Sequence, residues 1–159
     1  MSPLSTSRQT KWWPRLREGL APHSVAVTSD GSHVYVTHYL SDTVSVIATA
    51  TNMVVATVRV WHVPTGVAAS PEGSRVYVTN FLDSTVSVIG TATNTVVATV
   101  LVGDKPRGLA VSPDGSRVYV ANYFGNTVSV IARATSAVVA TVQVGGFPVA
   151  FGKFIGPGP

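Results

Sequence analysis

Apolar and polar residues alternate in short runs along this chain, and one run occurs three times. It reads RVYVTN at residues 75–80, HVYVTH at residues 33–38 and RVYVAN at residues 117–122. The offset between copies is 42 residues each time. Valine, tyrosine and threonine alternate so that large side chains point to both sides of an extended segment, which is typical of a β-strand covered on both faces.

The rest of the sequence from residue 22 onward repeats with the same period. Residues 64–105 and 106–147 share 26 identities in 42 positions without an insertion. The apolar runs of residues 64–105 predict four strands, at 66–70, 75–79, 85–89 and 95–102. The sequences Ser-Pro-Glu-Gly and Ser-Pro-Asp-Gly after the first strand are turn signals, because proline presets φ and glycine permits a positive φ. Short turns require antiparallel neighbours, so each unit is predicted to be a four-stranded meander.

A meander of this composition has apolar side chains on both sides, so it is expected to stack on copies of itself. A repeat of about 42 residues with four strands is typical of a β-propeller blade. The sequence therefore predicts an all-β fold, a partial β-propeller of three four-stranded antiparallel blades plus one extra strand. The predicted segments are a flexible arm (1–20), three blades (22–63, 64–105 and 106–147), a closing strand (147–155) and a tail (156–159).

Composition agrees with this fold class and argues against one class of partner, nucleic acids. The chain has 159 residues, of which 45% are apolar and only 11% are charged. Its net charge of +4 comes mainly from Arg8, Lys11, Arg15 and Arg17, because residues 21–159 carry a net charge of only +1. The repeats thus lack the basic stripe of a nucleic-acid surface, and no nucleic-acid partner is expected.

The chain contains no cysteine, which excludes disulfides, thiolate metal ligands and cysteine nucleophiles. Residues 1–20 have no uninterrupted apolar run before their charges, so neither a signal peptide nor a transmembrane segment is predicted. Trp12 and Trp13 lie beside Arg15 and Arg17 in the arm. Two interpretations remain open for these tryptophans: they cover an exposed sheet edge, or they anchor the chain to a partner or an anionic surface.

The repeated motifs carry a resemblance to a known family. Residues 77–80 spell YVTN, and the runs SPDGSRVYV, TVSVI and TVVATV accompany it. Over residues 21–155 these motifs resemble the YVTN family of β-propeller repeats, with departures at His38, where the motif has Asn, and Ala121, where it has Thr. The resemblance implies a relation to surface-layer proteins and to seven-bladed propellers similar to quinoprotein amine dehydrogenase. It also implies an extracytoplasmic or cell-surface location.

The number of repeats departs from that family. A closed propeller ring has four or more blades, whereas this sequence has three and the start of a further strand. The sequence is therefore expected either to be the C-terminal part of a longer array or to associate through its open blade edges with a protein partner or with itself. A two-chain ring of six blades is one form of such self-association.

The candidate ligand site follows from strand direction and from the resemblance. Alternating strands bring the connections between blades and those between second and third strands to one face, where family propellers place ligands. The candidate residues on this face are His23, His38, Asp42, His62 and Arg107. The three histidines with Asp42 form a metal or general-base site in one hypothesis and are scattered loop residues in the other. Arg107, beside Lys105, is either an anion contact at the channel mouth or part of a solvated pair.

Catalytic signatures are lacking in the sequence. It contains no nucleophile elbow, no phosphate-binding glycine loop and no paired buried carboxylates, and its repeated serines and threonines are expected to hydrogen-bond neighbouring strands. We therefore expect a non-enzymatic module that binds a protein or a ligand at the loop face, without cofactor or metal. The alternatives are a fragment of a propeller enzyme, lactonase-like or lyase-like, with its site on the same face, and a truncated product with no function of its own.

Overall fold

The structure is a computed structural model that describes residues 20–150, and within them the chain forms three antiparallel four-stranded sheets. The first blade consists of β1 (Pro22–Val27), β2 (His33–His38), β3 (Thr43–Ala48) and β4 (Met53–Arg59). The second consists of β5 (Pro64–Ala69), β6 (Arg75–Asn80), β7 (Thr85–Gly90) and β8 (Thr95–Leu101). The third consists of β9 (Pro106–Val111), β10 (Arg117–Asn122), β11 (Thr127–Ala132) and β12 (Ala137–Gln143). The all-β prediction and the three four-stranded antiparallel blades are confirmed.

Several predicted segments lie at the margins of the described residues. The arm predicted at 1–20 lies outside them up to residue 19, and the tail at 156–159 lies wholly outside. The closing strand predicted at 147–155 falls partly outside, and its described beginning, residues 147–150, carries no strand.

No helix within residues 20–150 is long and apolar enough to cross a membrane.

The Ser-Pro-x-Gly turns join the first two strands of the second and third blades as predicted. In the second blade the Gly73 N–H donates to the Ser70 carbonyl at 2.9 Å, which closes the turn. Gly73 has a φ of 78°, a conformation that residues with a Cβ adopt only at a cost. The equivalent Gly31 and Gly115 have φ values of 73° and 74°, so the requirement for glycine recurs in every blade.

The inner strands β1, β5 and β9 lie side by side. A Cβ placed on Gly66 of β5 would lie 2.9 Å from the Gly108 Cα of β9 and 3.0 Å from the Thr79 Oγ1, so glycine permits this close approach. β5 is irregular near its start, and there the Gly66 N–H donates to the Thr79 Oγ1 at 2.7 Å. The threonine of the YVTN motif therefore fixes the inner strand on the second strand of its own blade.

Two apolar clusters join the three blades. The first is formed on one side by Tyr35, Val44, Val46 and Val58 of the first blade, and on the other by Val67, Val76, Val78 and Ile89 of the second. The second cluster repeats these positions 42 residues later, with Tyr77, Val86, Val88 and Val100 against Leu109, Val118, Val120 and Ile131. We call the side of a blade that carries the tyrosine its forward face and the opposite side its rear face. Each blade thus packs its forward face on the rear face of the next.

Candidate functional site

The connections between blades lie against the connections between the second and third strands, as the alternating strand directions predict. This contact is a backbone hydrogen bond of 2.9 Å that recurs in all three blades. It runs from the N–H of Tyr39 to the carbonyl of Ala21, from Phe81 to Val63, and from Tyr123 to Lys105. We call the surface formed by these two sets of connections the loop face.

Asp42 helps to build this surface. Its Oδ1 accepts a hydrogen bond of 2.9 Å from the N–H of Val63, at the entrance to the second blade. Two repeats later, the Asn126 Oδ1 accepts an equivalent hydrogen bond from the N–H of Phe147 at 3.1 Å. The Asp42 carboxylate therefore joins the first blade to the second, and its role as a ligand residue stays a prediction.

Four aromatic rings meet on the loop face between the second and third blades. The centroid of the Tyr123 ring lies 5.1 Å from that of Phe124 and 5.1 Å from that of Phe147. The Phe124 and Phe81 centroids are 6.3 Å apart, which links the second blade to this group. These separations are typical of tilted and edge-to-face aromatic pairs. More than half of the surface of Phe124 and of Phe147 is nevertheless exposed, at 53% and 57%.

Two cations border the rings. The Arg107 guanidinium carbon lies 5.0 Å from the centroid of Tyr123, and the Lys105 Nζ lies 6.0 Å from the centroid of Phe81. Both distances are within the range of cation–π attraction. Asp104 is exposed beside Lys105 and offsets part of the charge. We call this group the aromatic patch, and it comprises Phe81, Lys105, Arg107, Tyr123, Phe124 and Phe147.

Local backbone geometry explains why these side chains converge. Lys105 and Phe147 occupy the same position of successive repeats and have positive φ values of 52° and 56°. The loop that carries Tyr123 and Phe124 follows Asn122, whose buried Nδ2 donates to the Thr127 Oγ1 at 3.0 Å and to the Ser129 Oγ at 2.9 Å. Tyr123 and Phe124 are therefore anchored at the end of β10. Chemically, the patch offers exposed aromatic surface together with guanidinium and ammonium donors.

His38 takes the position of this asparagine in the first blade. It is buried, and its Nε2 shares a hydrogen bond of 2.8 Å with the Ser45 Oγ. Asn80 makes the equivalent bond to the Ser87 Oγ at 2.9 Å in the second blade. The histidine thus replaces the asparagine of the motif in a contact between the second and third strands, and a ligand role for His38 stays a prediction.

His62 pairs with Asp83 across the connection between the first two blades. Its Nδ1 lies 3.0 Å from the Asp83 Oδ2, and its backbone N–H donates to the same oxygen. The imidazole is largely exposed, with 61% of its side-chain surface accessible. The carboxylate therefore orients an accessible imidazole, an arrangement that general bases share.

His23 lies against a different loop. Its ring stacks on that of Tyr39 with a centroid separation of 5.8 Å, as Arg107 covers Tyr123 two blades later. Its Nδ1 lies 3.1 Å from the Thr65 carbonyl oxygen.

In the part of the chain that the structure describes, no group of three histidine, aspartate or glutamate side chains is placed to hold a metal ion.

The sequence reasoning selected Arg107 but missed its apolar neighbours. Phe124 and Phe147 were not among the candidate residues, although the position of Phe124 is apolar in each copy, as Leu40 and Leu82. An apolar residue repeated in a connection, next to an aromatic one, was the available signal. The contact of Phe147 with the Tyr123 loop required the three-dimensional structure.

A groove lies on the inner strands at the opposite end from the loop face. It has a volume of about 380 Å³ and is lined by apolar residues of β1, β5 and β9 and by the turn residues Pro71 and Pro113. None of the five candidate residues lines it. The groove and the loop face are therefore separate surfaces.

Solved structures with the same fold are longer than this chain. Hydrazine synthase from Kuenenia stuttgartiensis is similar with a TM-score of 0.78 and 28% sequence identity, over 82% of this chain and 38% of that one. Apo AztD from Citrobacter koseri is similar with a TM-score of 0.70 and 14% identity, over 82% of this chain and 36% of that one. The second likeness shows the fold alone. This chain spans less than two fifths of either structure.

Sequence comparisons give a family. A search of curated proteins found no significant match. The model of the YNCE-like β-propeller family matches residues 62–150, which is more than half of the chain and includes the whole of the second and third blades. The chain therefore belongs to the YNCE-like β-propeller family.

Proposed function

We propose that this chain is a non-enzymatic β-propeller module that binds a protein partner through the aromatic patch on its loop face. The partner segment carries carboxylates beside aromatic or apolar side chains. The observation that supports this proposal is the meeting of exposed Phe124 and Phe147 with Arg107 and Lys105 at one blade junction.

The chemistry of the patch suits such a segment. Exposed phenylalanine rings gain free energy when an apolar side chain covers them, by about 25 cal/mol for each Å² of apolar surface removed from water. A guanidinium held over a tyrosine ring keeps donors for a carboxylate, and Arg–carboxylate bonds are stronger than bonds between neutral groups. Tyrosine and arginine are also enriched among the residues that dominate binding energy at protein interfaces.

The finer resemblance to YVTN repeats supports a further part of the proposal, a surface-associated location for the module. The motif is the run at residues 77–80, and its accompanying turns and strands occur in three copies. Fractionation of the producing cell with an antibody against this chain tests the location. Recovery in the extracytoplasmic or envelope fraction is expected, and recovery with the cytoplasm alone contradicts this part.

A binding titration tests the site. The probe is a fluorescein-labelled peptide of alternating glutamate and tryptophan, and its anisotropy reports binding. Arg107→Ala is expected to weaken binding about tenfold through loss of a charge-assisted contact. The matched control is Arg117→Ala, because Arg117 is an exposed arginine at the start of β10, at the end of the blade opposite the loop face. Equal affinity of the two variants would contradict the assignment.

A second pair of variants tests the apolar part. Phe124→Ala removes an exposed ring of the patch, whereas Leu40→Ala removes an exposed side chain at the same position of the first repeat, away from the patch. Only the Phe124→Ala substitution is expected to weaken binding of the peptide. The same peptide with lysine in place of glutamate is expected to bind poorly, and tight binding of that control would show that charge plays no part.

The His62–Asp83 pair favours a second candidate, an enzymatic role at the same face. An accessible imidazole oriented by a carboxylate has the arrangement of a general base. One structural neighbour is named as a synthase, although this chain spans only 38% of it. A lactone hydrolysis assay tests this candidate. Activity that His62→Ala abolishes would support it over the binding module, and absence of turnover in the unmodified chain would eliminate lactone hydrolysis.

A further inference from the structure

The two outer blades each leave most of one face uncovered among the described residues, although residues 147–150 already border the third blade, with Ala150 against Gly108 of β9. The rear face of the first blade exposes 64% of Val25, whereas its counterparts Val67 and Leu109 expose 7% and 2%. Val27 and Val54 are also more than half exposed, at 55% and 58%. These valines occupy positions that the preceding blade covers in the second and third repeats.

The forward face of the third blade is open in part, although Val130 on this face is already buried. Tyr119 exposes 44% of its surface, whereas Tyr35 and Tyr77 expose 1% each. Val142 exposes 50%, and its counterparts Val58 and Val100 are buried. No polar residue replaces them at this exposed face, since tyrosine and valine occupy these positions in all three copies.

The open faces match each other residue for residue. The forward face of the third blade carries Tyr119, Val128, Val130 and Val142, the same types as the four that the first blade contributes to the first cluster. The rear face of the first blade carries Val25, Val34, Val36 and Ile47, the same types as the four that the second blade contributes. Together they reproduce the composition of an interface that the chain already forms.

We propose that the forward face of the third blade binds the rear face of the first blade of a second copy of this chain. The contact repeats the junction between the first and second blades. When it forms in both directions, two copies close a ring of six blades, within the usual range of propellers. The proposal rests on different residues from the aromatic patch except at Phe147, because Ala21 of the second copy takes the repeat position that Phe147 occupies beside Asn126.

A polar contact fixes the register of this interface. At the first junction the Tyr35 hydroxyl donates to the Asn94 Oδ1 at 2.8 Å. The counterpart of Tyr35 on the open face is Tyr119, and the counterpart of Asn94 on the first blade is Asn52, which is exposed. Asn52 has a φ of 55° and Asn94 one of 51°, so the two turns have the same backbone. Tyr119 of one copy therefore donates to Asn52 of the other.

The chain's own residues 151–155 are a competing occupant of the forward face of the third blade. They lie outside the described residues. By the 42-residue repeat, Phe151 is the counterpart of Val25. Val34, Val36 and Ile47 come from the second and third strands of a blade, and residues 151–155 offer no counterpart for them. A second copy offers a complete rear face, and its β1 must displace residues 148–150, because Ala150 lies against Gly108 as Gly108 lies against Gly66.

The test is the mass of the full chain in solution, measured by light scattering over a range of concentrations. The unmodified chain is expected at twice its 16.6 kDa. Val142→Glu places a charge on the open forward face and is expected to give a single-chain mass. Val139→Glu is the matched control on the same strand, because Val139 and its counterparts Val55 and Val97 are more than half exposed in every blade. This variant is expected to keep the double mass.

Tyr119→Phe tests the register without a charge. It is expected to raise the dimer dissociation constant about thirtyfold, since the ring contains this hydrogen bond twice and loses about 2 kcal/mol. Circular dichroism of each variant checks that the blades remain folded. A single-chain mass of the unmodified protein at every concentration would overturn the proposal, as would dissociation by Val139→Glu to the same degree as by Val142→Glu.

Discussion

The Tyr35 hydroxyl donates a hydrogen bond to the Asn94 side-chain oxygen at 2.8 Å across the junction of the first two blades. The tyrosine is buried, and this burial raises its pKa above 10.0. We expect Tyr35→Phe to lower the free energy of unfolding by about 1 kcal/mol through loss of this bond. Urea denaturation measures the change. Tyr39→Phe, at an exposed loop position, is the control, and an equal loss in both would contradict a special role for the junction.

Thr79 is expected to stabilise the second blade more than exposed threonines do. Its Oγ1 accepts from the Gly66 N–H at 2.7 Å and lies 2.9 Å from the Thr65 Oγ1, and the residue is fully buried. Thr79→Val keeps the shape but removes these contacts, at a cost of about 1–3 kcal/mol in unfolding free energy. Thr141→Val, at an exposed position of β12, is expected to change it by less than about 0.5 kcal/mol. Comparable losses would refute the hydrogen-bonding role.

Asp114 is expected to make stability depend on pH in the acid range. Donation from the Ser112 hydroxyl and from the N–H and hydroxyl of Ser116 lowers its pKa from 3.8 to about 2. Because the folded state favours the charged carboxylate, the contribution is complete above pH 3.8 and is lost as the pH falls toward 2. Asp30 behaves likewise, with bonds from Ser32 and Thr28 lowering its pKa to about 2.

The measurement is the urea midpoint at pH 7, 4 and 2.5, for the unmodified chain and for Asp114→Asn. The variant is expected to lose less stability between pH 4 and pH 2.5, because only Asp30 of this pair still titrates. A variant whose midpoint falls as steeply as that of the unmodified chain would show that the turn carboxylate contributes nothing to the acid dependence.

Val63 is a source of backbone strain at the junction of the first two blades. Its φ is 59°, in the left-handed region that β-branched residues avoid. Asparagine tolerates this region, so Val63→Asn is expected to raise the free energy of unfolding by about 1 kcal/mol. Thermal unfolding should then show a melting temperature higher by about 2–4 °C. A lower melting temperature would mean that packing of the valine outweighs the strain.

The fold was predictable because one period controls both strand formation and packing. The 42-residue offset aligns the turn glycines, the tyrosines of the forward faces and the valines of the rear faces. Each copy therefore gives independent evidence for the same strands. The second-blade strands predicted at 66–70, 75–79 and 85–89 differ from the observed β5, β6 and β7 by at most two residues at either end.

The candidate site was less predictable, because it depends on the residues that break the period. His38 and Asp42 were selected for their chemistry, but the structure shows each in a structural contact, with Ser45 and with the N–H of Val63. The convergence of Phe147 on Tyr123 depends on a positive φ at Phe147, which apolar sequence patterns do not signal. Repetition therefore predicts the scaffold, whereas the side chains that differ between copies require coordinates.

Hydrogen exchange with and without the glutamate–tryptophan peptide tests the proposed binding role most directly, because it locates the contact. The account predicts that the peptide slows exchange in the connections at residues 81–84, 103–105 and 123–126, and leaves the turns at residues 70–74 and 112–116 unchanged. Protection confined to those turns, or spread evenly over the three blades, would contradict a binding site at the aromatic patch.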